Sequence, residues 1–340
     1  MLQITLLELL SQSMAVTYFV KNERKIDMSQ TVAIPKGLSE IGKKYLKDHN
    51  VEIIELKSFS DDEILSKAKN ADGIILMTDP FSNDLVRHLP NLKIVARHGV
   101  GYDNIDPIFL ENNHIWATIT PNANAETVAE VTIAEIFDLS KNITSISEKM
   151  RQGDFEYKND HLGFNLSGKT IGIAGYGRIG KKVAQKADAL GMDVIIYDPF
   201  VTQSNVGTLV SKKDLLLDSD IVTLHMAVTD DTKHFIDGEA LKRMKSSSYL
   251  VNLGRGALVD QPALIDSLRN HEISGAALDV FDQEPLPLDN DLYKLDNVLL
   301  TPHIASNTTN AMNSMALDSA KEIVQVLSNK LPNWPINRVQ

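Results

Sequence analysis

Residues 170–180 read Thr170-Ile171-Gly172-Ile173-Ala174-Gly175-Tyr176-Gly177-Arg178-Ile179-Gly180. An apolar β-type run passes directly into Gly-x-Gly-x-x-Gly, and the next apolar run, Val194-Ile195-Ile196-Tyr197, ends on an acid, Asp198. This order predicts a dinucleotide-binding βαβ turn. Gly175 makes the tight turn, Gly177 lets the backbone approach a pyrophosphate, and Gly180 allows close helix-on-strand packing. Ile179, Val183, Ala184, Ala187 and Leu190 then recur at helical spacing. A helix amino terminus at Arg178-Ile179, with its positive dipole end, would therefore face the phosphates. Asp198 would accept from the adenosine ribose hydroxyls and repel a 2′-phosphate, which favours NAD over NADP. The bland readings are a ligand-free glycine turn and a solvated strand-end acid before Pro199; the spacing of the acid from the glycines favours the nucleotide.

A chain of 340 residues is long for one core and suits two domains of ordinary size. Its 43% hydrophobic and 23% charged residues are those of a globular protein rather than a disordered one. A formal net charge of -11 argues against a phosphate-backbone partner, since nucleic-acid binding needs a basic face. With no cysteine there is no disulfide, thiolate nucleophile or Cys-ligated zinc, and the composition fits a cytoplasmic protein. No metal site is expected. Leu2 to Leu10 is apolar but short, interrupted by Glu8 and preceded by no basic residue, so it reads as neither signal peptide nor membrane span. The first strand-like run starts at Thr31, just after Met28, and residues 1–28 are expected to be an extension outside the fold.

From there β-type runs alternate with helical patterns: Val32 to Ile34, Val51 to Ile54, Gly73 to Met77 and Lys93 to Ala96. Alternation of this kind means a parallel sheet with crossover helices. One long helix is predicted over about 124–150, with Ala129, Ile133, Ile136, Ile143 and Ile146 on a stripe and Glu126 in its first turn. A second alternation follows, with six strands at about 170–174, 193–197, 220–224, 249–252, 275–279 and 297–300. A last helix carrying Met312, Met315, Ser319, Ile323 and Leu327 on a face leads to a tail that reads as irregular.

Gly163-Phe-Asn-Leu-Ser-Gly168-Lys169-Thr170 matches the G-x-x-x-x-G-K-[ST] phosphate loop letter for letter. That loop must follow a strand and open a helix. Here the strand comes after it, so an NTPase reading fails and Lys169 is expected to be a solvated charge.

Open α/β sheets place ligands at strand ends, and three polar residues stand there. Arg255 follows Leu250 to Gly254, Glu284 follows Ala277 to Phe281, and His303 follows Val298 to Pro302. Singly, each reads as readily as a structural ion pair or a satisfied histidine. Together they form a set with a chemical logic, a cation that can hold and polarise an oxygen beside a group that can give or take a proton. Arg255 offers the planar fork. His303 is the natural general acid, with Glu284 favouring its imidazolium form.

The chain resembles the D-isomer-specific 2-hydroxyacid dehydrogenases from about residue 30 to its end. The motifs that carry the resemblance are Gly99-Val100-Gly101-Tyr102-Asp103-Asn104-Ile105-Asp106, Asn122 to Glu130, Gly175 to Gly180, Val251-Asn252-Leu253-Gly254-Arg255, Ala277-Leu278-Asp279-Val280-Phe281-Asp282-Gln283-Glu284, and Thr301-Pro302-His303. The resemblance implies catalytic roles for Arg255, Glu284 and His303, and a nicotinamide-amide contact for Asp279. It implies substrate binding by the backbone of Gly99, Val100 and Gly101, with His98 and the Thr78-Asp79 loop as pocket walls. The segment from His225 through Thr229 to Thr232 resembles the lining of the adenosine pocket, although Ala227 stands where a proline is common.

The reading is therefore α/β, with two doubly wound parallel-sheet domains. A Rossmann NAD-binding domain, 122–308, is inserted into a flavodoxin-like substrate domain of 29–121 plus 309–340. The two chain crossings would form a hinge that can close over a cleft. The expected function is reversible hydride transfer between NAD(H) and a small 2-keto or 2-hydroxy acid, with no nucleic acid or membrane partner. A homodimer is expected around the helix at 124–150, as the family resemblance also implies. Phosphoglycerate enzymes usually carry Arg-Ser where this chain has Met77-Thr78-Asp79, and an acid facing a phosphate costs affinity. D-3-phosphoglycerate dehydrogenase stays as the competing reading, and a non-catalytic NAD-sensing regulator is the alternative of another class.

Overall fold

A computed structural model describes residues 30–339. The expected extension at 1–28 lies outside the described residues. The described residues divide into two compact units, one made of residues 30–123 and 312–339, the other of residues 124–311.

The first unit is built on five parallel strands, β1 (Thr31–Pro35), β2 (Glu52–Leu56), β3 (Gly73–Leu76), β4 (Ile94–Arg97) and β5 (Trp116–Thr118), in the order β2-β1-β3-β4-β5. This is the flavodoxin-like strand order. Helices Glu40–Asp48, Asp61–Lys67, Asn83–Arg87 and Pro107–Asn112 make the crossovers. Their starts follow from local chemistry: Ser60, Ser82 and Asp106 each accept from backbone N–H groups of the first turn, and Pro107 occupies the first helical position. One sheet face buries Ala33, Ile74 and Val95 against Leu56, Ile64, Leu85 and Leu110. The other buries Val32, Ile34, Ile75 and Ile94 against Leu46 and against Ala316, Ala320 and Ile323 of the helix Thr309–Leu327.

The residues after that helix form no further helix or strand, as the sequence predicts, yet they are held in place by hydrogen bonds to the first unit. Thr118 bridges Pro335 in antiparallel fashion, and Ile336 N donates to Ala117 O at 2.9 Å. Asn337 accepts from Ala117 N at 3.0 Å and donates to Ile115 O at 2.8 Å. Buried Glu322 accepts from the backbone of Asn333 at 2.8 Å and Trp334 at 3.0 Å, fixing the chain's path to the edge of β5.

The second unit holds seven parallel strands, not the six expected. They are β6 (Thr170–Ala174), β7 (Asp193–Tyr197), β8 (Thr208–Leu209), β9 (Ile221–Leu224), β10 (Tyr249–Asn252), β11 (Gly275–Leu278) and β12 (Val298–Leu300), in the order β12-β11-β10-β9-β6-β7-β8. Strand order reverses at β6, and the carboxyl ends of β6 and β9 flank the switch point where such sheets bind ligands. The extra strand, β8, pairs with β7.

The single helix predicted over 124–150 is two, Ala125–Lys141 and Ile143–Arg151. Asn142 takes the left-handed conformation at φ 54°, which asparagine tolerates better than most residues. Asp138 Oδ1 then accepts from Thr144 N at 2.8 Å and Thr144 Oγ1 at 2.9 Å, capping the new start. The first of the two helices packs Val128, Ala129 and Ile136 into the core formed with Ile171, Ile173, Val183 and Ala277. Glu126, in its first turn, pairs with Lys182 and Lys186, each at 2.6 Å. The 163–170 segment leads into β6 and opens no helix, so the phosphate-loop match is accidental.

Candidate active site

In the second unit, the turn between β6 and the helix Arg178–Ala189 gives each glycine a different reason. Gly175 sits at φ +96°, and a Cβ there would come within 2.7 Å of the His225 carbonyl. A Cβ on Gly180 would lie 2.0 Å from Gly175 O, so helix and turn touch with no room for a methyl. Gly177 differs: nothing lies within 4 Å of the place its Cβ would take. The fold needs the first and third glycines, whereas the middle one leaves a space at the helix's amino end, next to exposed Arg178 and half-buried Ile179.

Asp198, at the end of β7, accepts from Tyr176 N at 2.8 Å and Phe200 N at 2.9 Å. It thereby ties the glycine turn to the neighbouring strand while keeping lone pairs for a ribose. His225 follows β9, with Nε2 2.9 Å from Thr223 Oγ1 and a buried Nδ1 that has no partner. Burial pushes its pKa down to about 3, so the ring is neutral. The loop after it is tied by Thr232, whose Oγ1 donates to Ala227 O at 2.7 Å and accepts from Thr229 N at 2.7 Å. Those bonds close the turn that runs from Ala227 to Thr232.

Arg255, Glu284 and His303 stand at the ends of β10, β11 and β12. His303 Nδ1 lies 2.7 Å from Glu284 Oε2, and Glu284 Oε1 accepts from Phe281 N at 3.1 Å. With Nδ1 facing a carboxylate, the ring's Nε2 is the nitrogen left for a substrate proton. The dyad is about one-third exposed, open enough for a ligand to reach. Partial burial pushes the Glu284 carboxyl up, but the bond to His303, the charges of His303 and Arg255 and the Phe281 amide outweigh it, holding the pKa below the usual value. The strand-end Asn252 fixes the Arg255 backbone, donating from Nδ2 to Arg255 O at 2.9 Å and accepting from Gly254 N at 3.1 Å.

Asp279 is fully buried. Its Oδ1 accepts from Thr301 Oγ1 at 2.6 Å and Ile304 N at 2.7 Å, and its Oδ2 from Ala305 N at 2.8 Å. His303 N donates to Asp279 O at 3.0 Å. The motif suggested a cofactor contact; packing makes this carboxylate, first of all, the anchor of the loop that carries His303.

In the first unit, Gly99 adopts φ +141°, and a Cβ there would approach the Arg97 guanidinium to 3.0 Å. Val100 and Gly101 follow, half-buried. His98 is buried beside Arg97, and burial together with that cation lowers its pKa to about 4, so it is neutral. Sequence reasoning assigned Asn104 no task. Its Nδ2 donates to Met77 O at 3.0 Å and Asp79 O at 2.7 Å, tying the Thr78-Asp79 loop to the segment that follows the Gly99 turn. An asparagine two residues beyond Tyr102 in a glycine-rich loop was the available signal.

The family model described as "D-isomer specific 2-hydroxyacid dehydrogenase, NAD binding domain" matches residues 133–305, the stretch that holds the strand ends of the second unit. A glyoxylate reductase from Korarchaeum cryptofilum is 34% identical over 92% of this chain and 97% of its own. The chain belongs to the D-isomer specific 2-hydroxyacid dehydrogenase family. A D-3-phosphoglycerate dehydrogenase from Methanocaldococcus jannaschii is also 34% identical, over 84% of this chain and 55% of the longer relative. Among solved structures, an NADPH-dependent glyoxylate/hydroxypyruvate reductase from Sinorhizobium meliloti, in complex with NADP and malonate, superposes with a TM-score of 0.80 at 25% identity, covering 90% of this chain and 96% of that one.

As a 2-hydroxyacid dehydrogenase, the chain is an oxidoreductase acting on the CH–OH group of donors with a nicotinamide dinucleotide, NAD(P), as cofactor. The residues present fit that group: an open space at Gly177, a helix amino terminus behind it and an acid at the end of β7. Among the described residues no helix is long and apolar enough to cross a membrane.

Proposed function

We propose that this enzyme reversibly reduces a small, unphosphorylated 2-keto acid of the glyoxylate and hydroxypyruvate class to the D-2-hydroxy acid. In this reading Arg255 binds the substrate's carboxylate and keto oxygen, and His303 with Glu284 handles the proton. The observation that carries it is the 2.7 Å contact between His303 Nδ1 and Glu284 Oε2 at the strand ends of a nucleotide-binding sheet. Gly175, Gly177, Arg178, Ile179 and Gly180 would hold the pyrophosphate, Asp198 the adenosine ribose, and His225 and Thr232 the adenosine side. The remaining lone pair of Asp279 Oδ2 would meet the nicotinamide amide. When bound, the nicotinamide ring supplies the hydride in reduction and accepts it in oxidation.

The chain's own residues then have defined tasks. The Arg255 guanidinium would point its in-plane N–H groups at the carboxylate and carbonyl oxygens, neutralising charge as it builds on the keto oxygen. His303 gives its Nε2 proton to that oxygen, and Glu284 stabilises the ring while it is charged. In oxidation the neutral ring takes the hydroxyl proton. Gly99, Val100 and Gly101 would offer backbone N–H groups to the substrate carboxylate.

Phosphoglycerate is the second reading, favoured by the 34% identity to the Methanocaldococcus enzyme. Asp79, in the loop held by Asn104, opposes it if that loop lines the pocket as the family resemblance implies, because an acid facing a phosphate costs affinity. The test is NADH oxidation against glyoxylate, hydroxypyruvate, pyruvate, 2-ketoisocaproate and phosphohydroxypyruvate, with the His303→Ala variant alongside. Preference for glyoxylate or hydroxypyruvate and a turnover reduced by roughly 10²–10⁴ in the variant are expected. Preference for phosphohydroxypyruvate, or an unaltered rate in the variant, would refute the assignment.

A further inference from the structure

Behind the His303 loop lies a carboxyl group that the reaction does not use. Glu135, in the middle of the helix Ala125–Lys141, is only 4% exposed, and its Oε2 is buried without a hydrogen-bond partner. Its Oε1 lies 3.0 Å from Thr301 Oγ1, and the same hydroxyl lies 2.6 Å from Asp279 Oδ1. A threonine hydroxyl has one proton and here faces two carboxyl oxygens. If both acids were ionised, one of the two contacts would set a lone pair against a lone pair in a buried site, a costly arrangement.

The two acids are not equivalent. Asp279 also accepts from the backbone N–H groups of Ile304 and Ala305, which stabilise a negative charge. Glu135 has no such donors. The charged groups acting on it, Asp279 across the gap and Asp138 one turn along its own helix, are both acidic. Hydrogen counting therefore leaves the charge on Asp279 and a proton on Glu135.

We propose that Glu135 is a positioning residue for the His303 loop: its neutral carboxyl donates to Thr301 Oγ1, the Thr301 hydroxyl donates to Asp279, and the charged Asp279 holds the amides that follow His303. The chain of bonds runs from helix to loop with a consistent direction, each donor having one acceptor. It rests on the reading of His303 as the acid/base group. Burial, with the charges of Asp279 and Asp138, outweighs the bond to Thr301 and raises the Glu135 pKa to about 8, in keeping with a proton retained at neutral pH.

The sign of the pH effect follows. Between the ordinary glutamate range and about pH 8 the folded chain keeps a proton that the unfolded chain has released, so stability falls as pH rises across that window. Glu135→Gln keeps a donor for Thr301 and has nothing to titrate. Comparing thermal melts of full-length wild type and Glu135→Gln from pH 5 to 9 should show the wild type losing stability relative to the variant as pH rises. Coincident slopes would overturn the proposal. Turnover of the keto acid that the wild type reduces fastest gives the second readout. Glu135→Gln should stay within about threefold of wild type at pH 7, whereas Glu135→Ala should lose about tenfold or more in kcat at saturating NADH, as expected of a displaced catalytic group. An Ala variant with wild-type kcat also overturns it. A His303→Ala enzyme that keeps full turnover would instead defeat the acid/base reading and leave the melting comparison standing.

Discussion

The contrast between Gly177 and Gly180 allows cofactor binding to be separated from folding with two methyl groups. At Gly180 an added Cβ would sit 2.0 Å from the Gly175 carbonyl oxygen, where ordinary contact begins at 3.4 Å, so turn and helix must part by about 1.4 Å. Overpacking of this kind costs about 1–3 kcal/mol, and a unit of this size loses roughly 2–4 °C in Tm per kcal/mol. At Gly177 the added Cβ meets nothing within 4 Å, and φ of -76° suits alanine, so the cofactor-free protein should melt as wild type. The methyl would instead occupy the space a pyrophosphate needs, at the amino end of the helix Arg178–Ala189. Losing one or two charge-assisted hydrogen bonds of about 1.5–3 kcal/mol each should raise the Kd for NADH about 10- to 100-fold or more. Titration of NADH fluorescence and thermal melting of both variants provide the measurements. Wild-type NADH binding by Gly177→Ala, or a Gly180→Ala protein that neither melts earlier nor binds more weakly, would contradict these roles of the two glycines.

Two further outcomes can be checked. Asp198→Asn keeps an acceptor for the backbone and removes the charge, so the ratio of kcat/KM for NADPH to that for NADH should rise about tenfold, the worth of one like-charge contact of ~1.4 kcal/mol; an unchanged ratio, or a wild type that already prefers NADPH, counts against the ribose assignment. The helix Ile143–Arg151 exposes Ile143 and Met150, with Phe155 and Leu162 exposed beyond it, and we propose that a second copy covers them. Light scattering at micromolar concentration should give a dimer for wild type and a monomer for Ile143→Glu combined with Met150→Glu; a monomeric wild type would dismiss the idea.

What the sequence made legible depended on how local each signal was. Strands such as Ile171 to Ala174 and Leu250 to Asn252 announce themselves because strands buried on both faces are continuous apolar runs. The glycine turn is legible because two steric demands of the fold and one space left open at a helix amino end fall within six residues. The break at Asn142 is not: asparagine is only mildly unfavourable inside a helix, and the bond from Thr144 to Asp138 that makes the break stable has no strong motif. Strands β5 and β8, of three and two residues, are too short to show a period. The ordered tail depends on Asn337 meeting Ala117, 220 positions earlier, which no window can reveal. Within the site, strand ends pointed to Arg255, Glu284 and His303. The work of Asn252, Asn104 and Thr301 consists of bonds to backbone or to buried carboxyls, visible only once the loops have met.

The stitching of the chain's end into the first sheet has a bearing on how the protein is made. On the ribosome, residues 124–311 emerge as a continuous stretch carrying all seven strands of their sheet. The first five strands emerge before them, yet the face of Val32, Ile34, Ile75 and Ile94 lacks Ala316, Ala320 and Ile323, and the edge of β5 lacks Pro335 to Asn337. The unit synthesised first is thus the last that can finish folding. Through most of translation it carries an uncovered apolar face and an open strand edge, which is the interval in which nascent chains most need a chaperone.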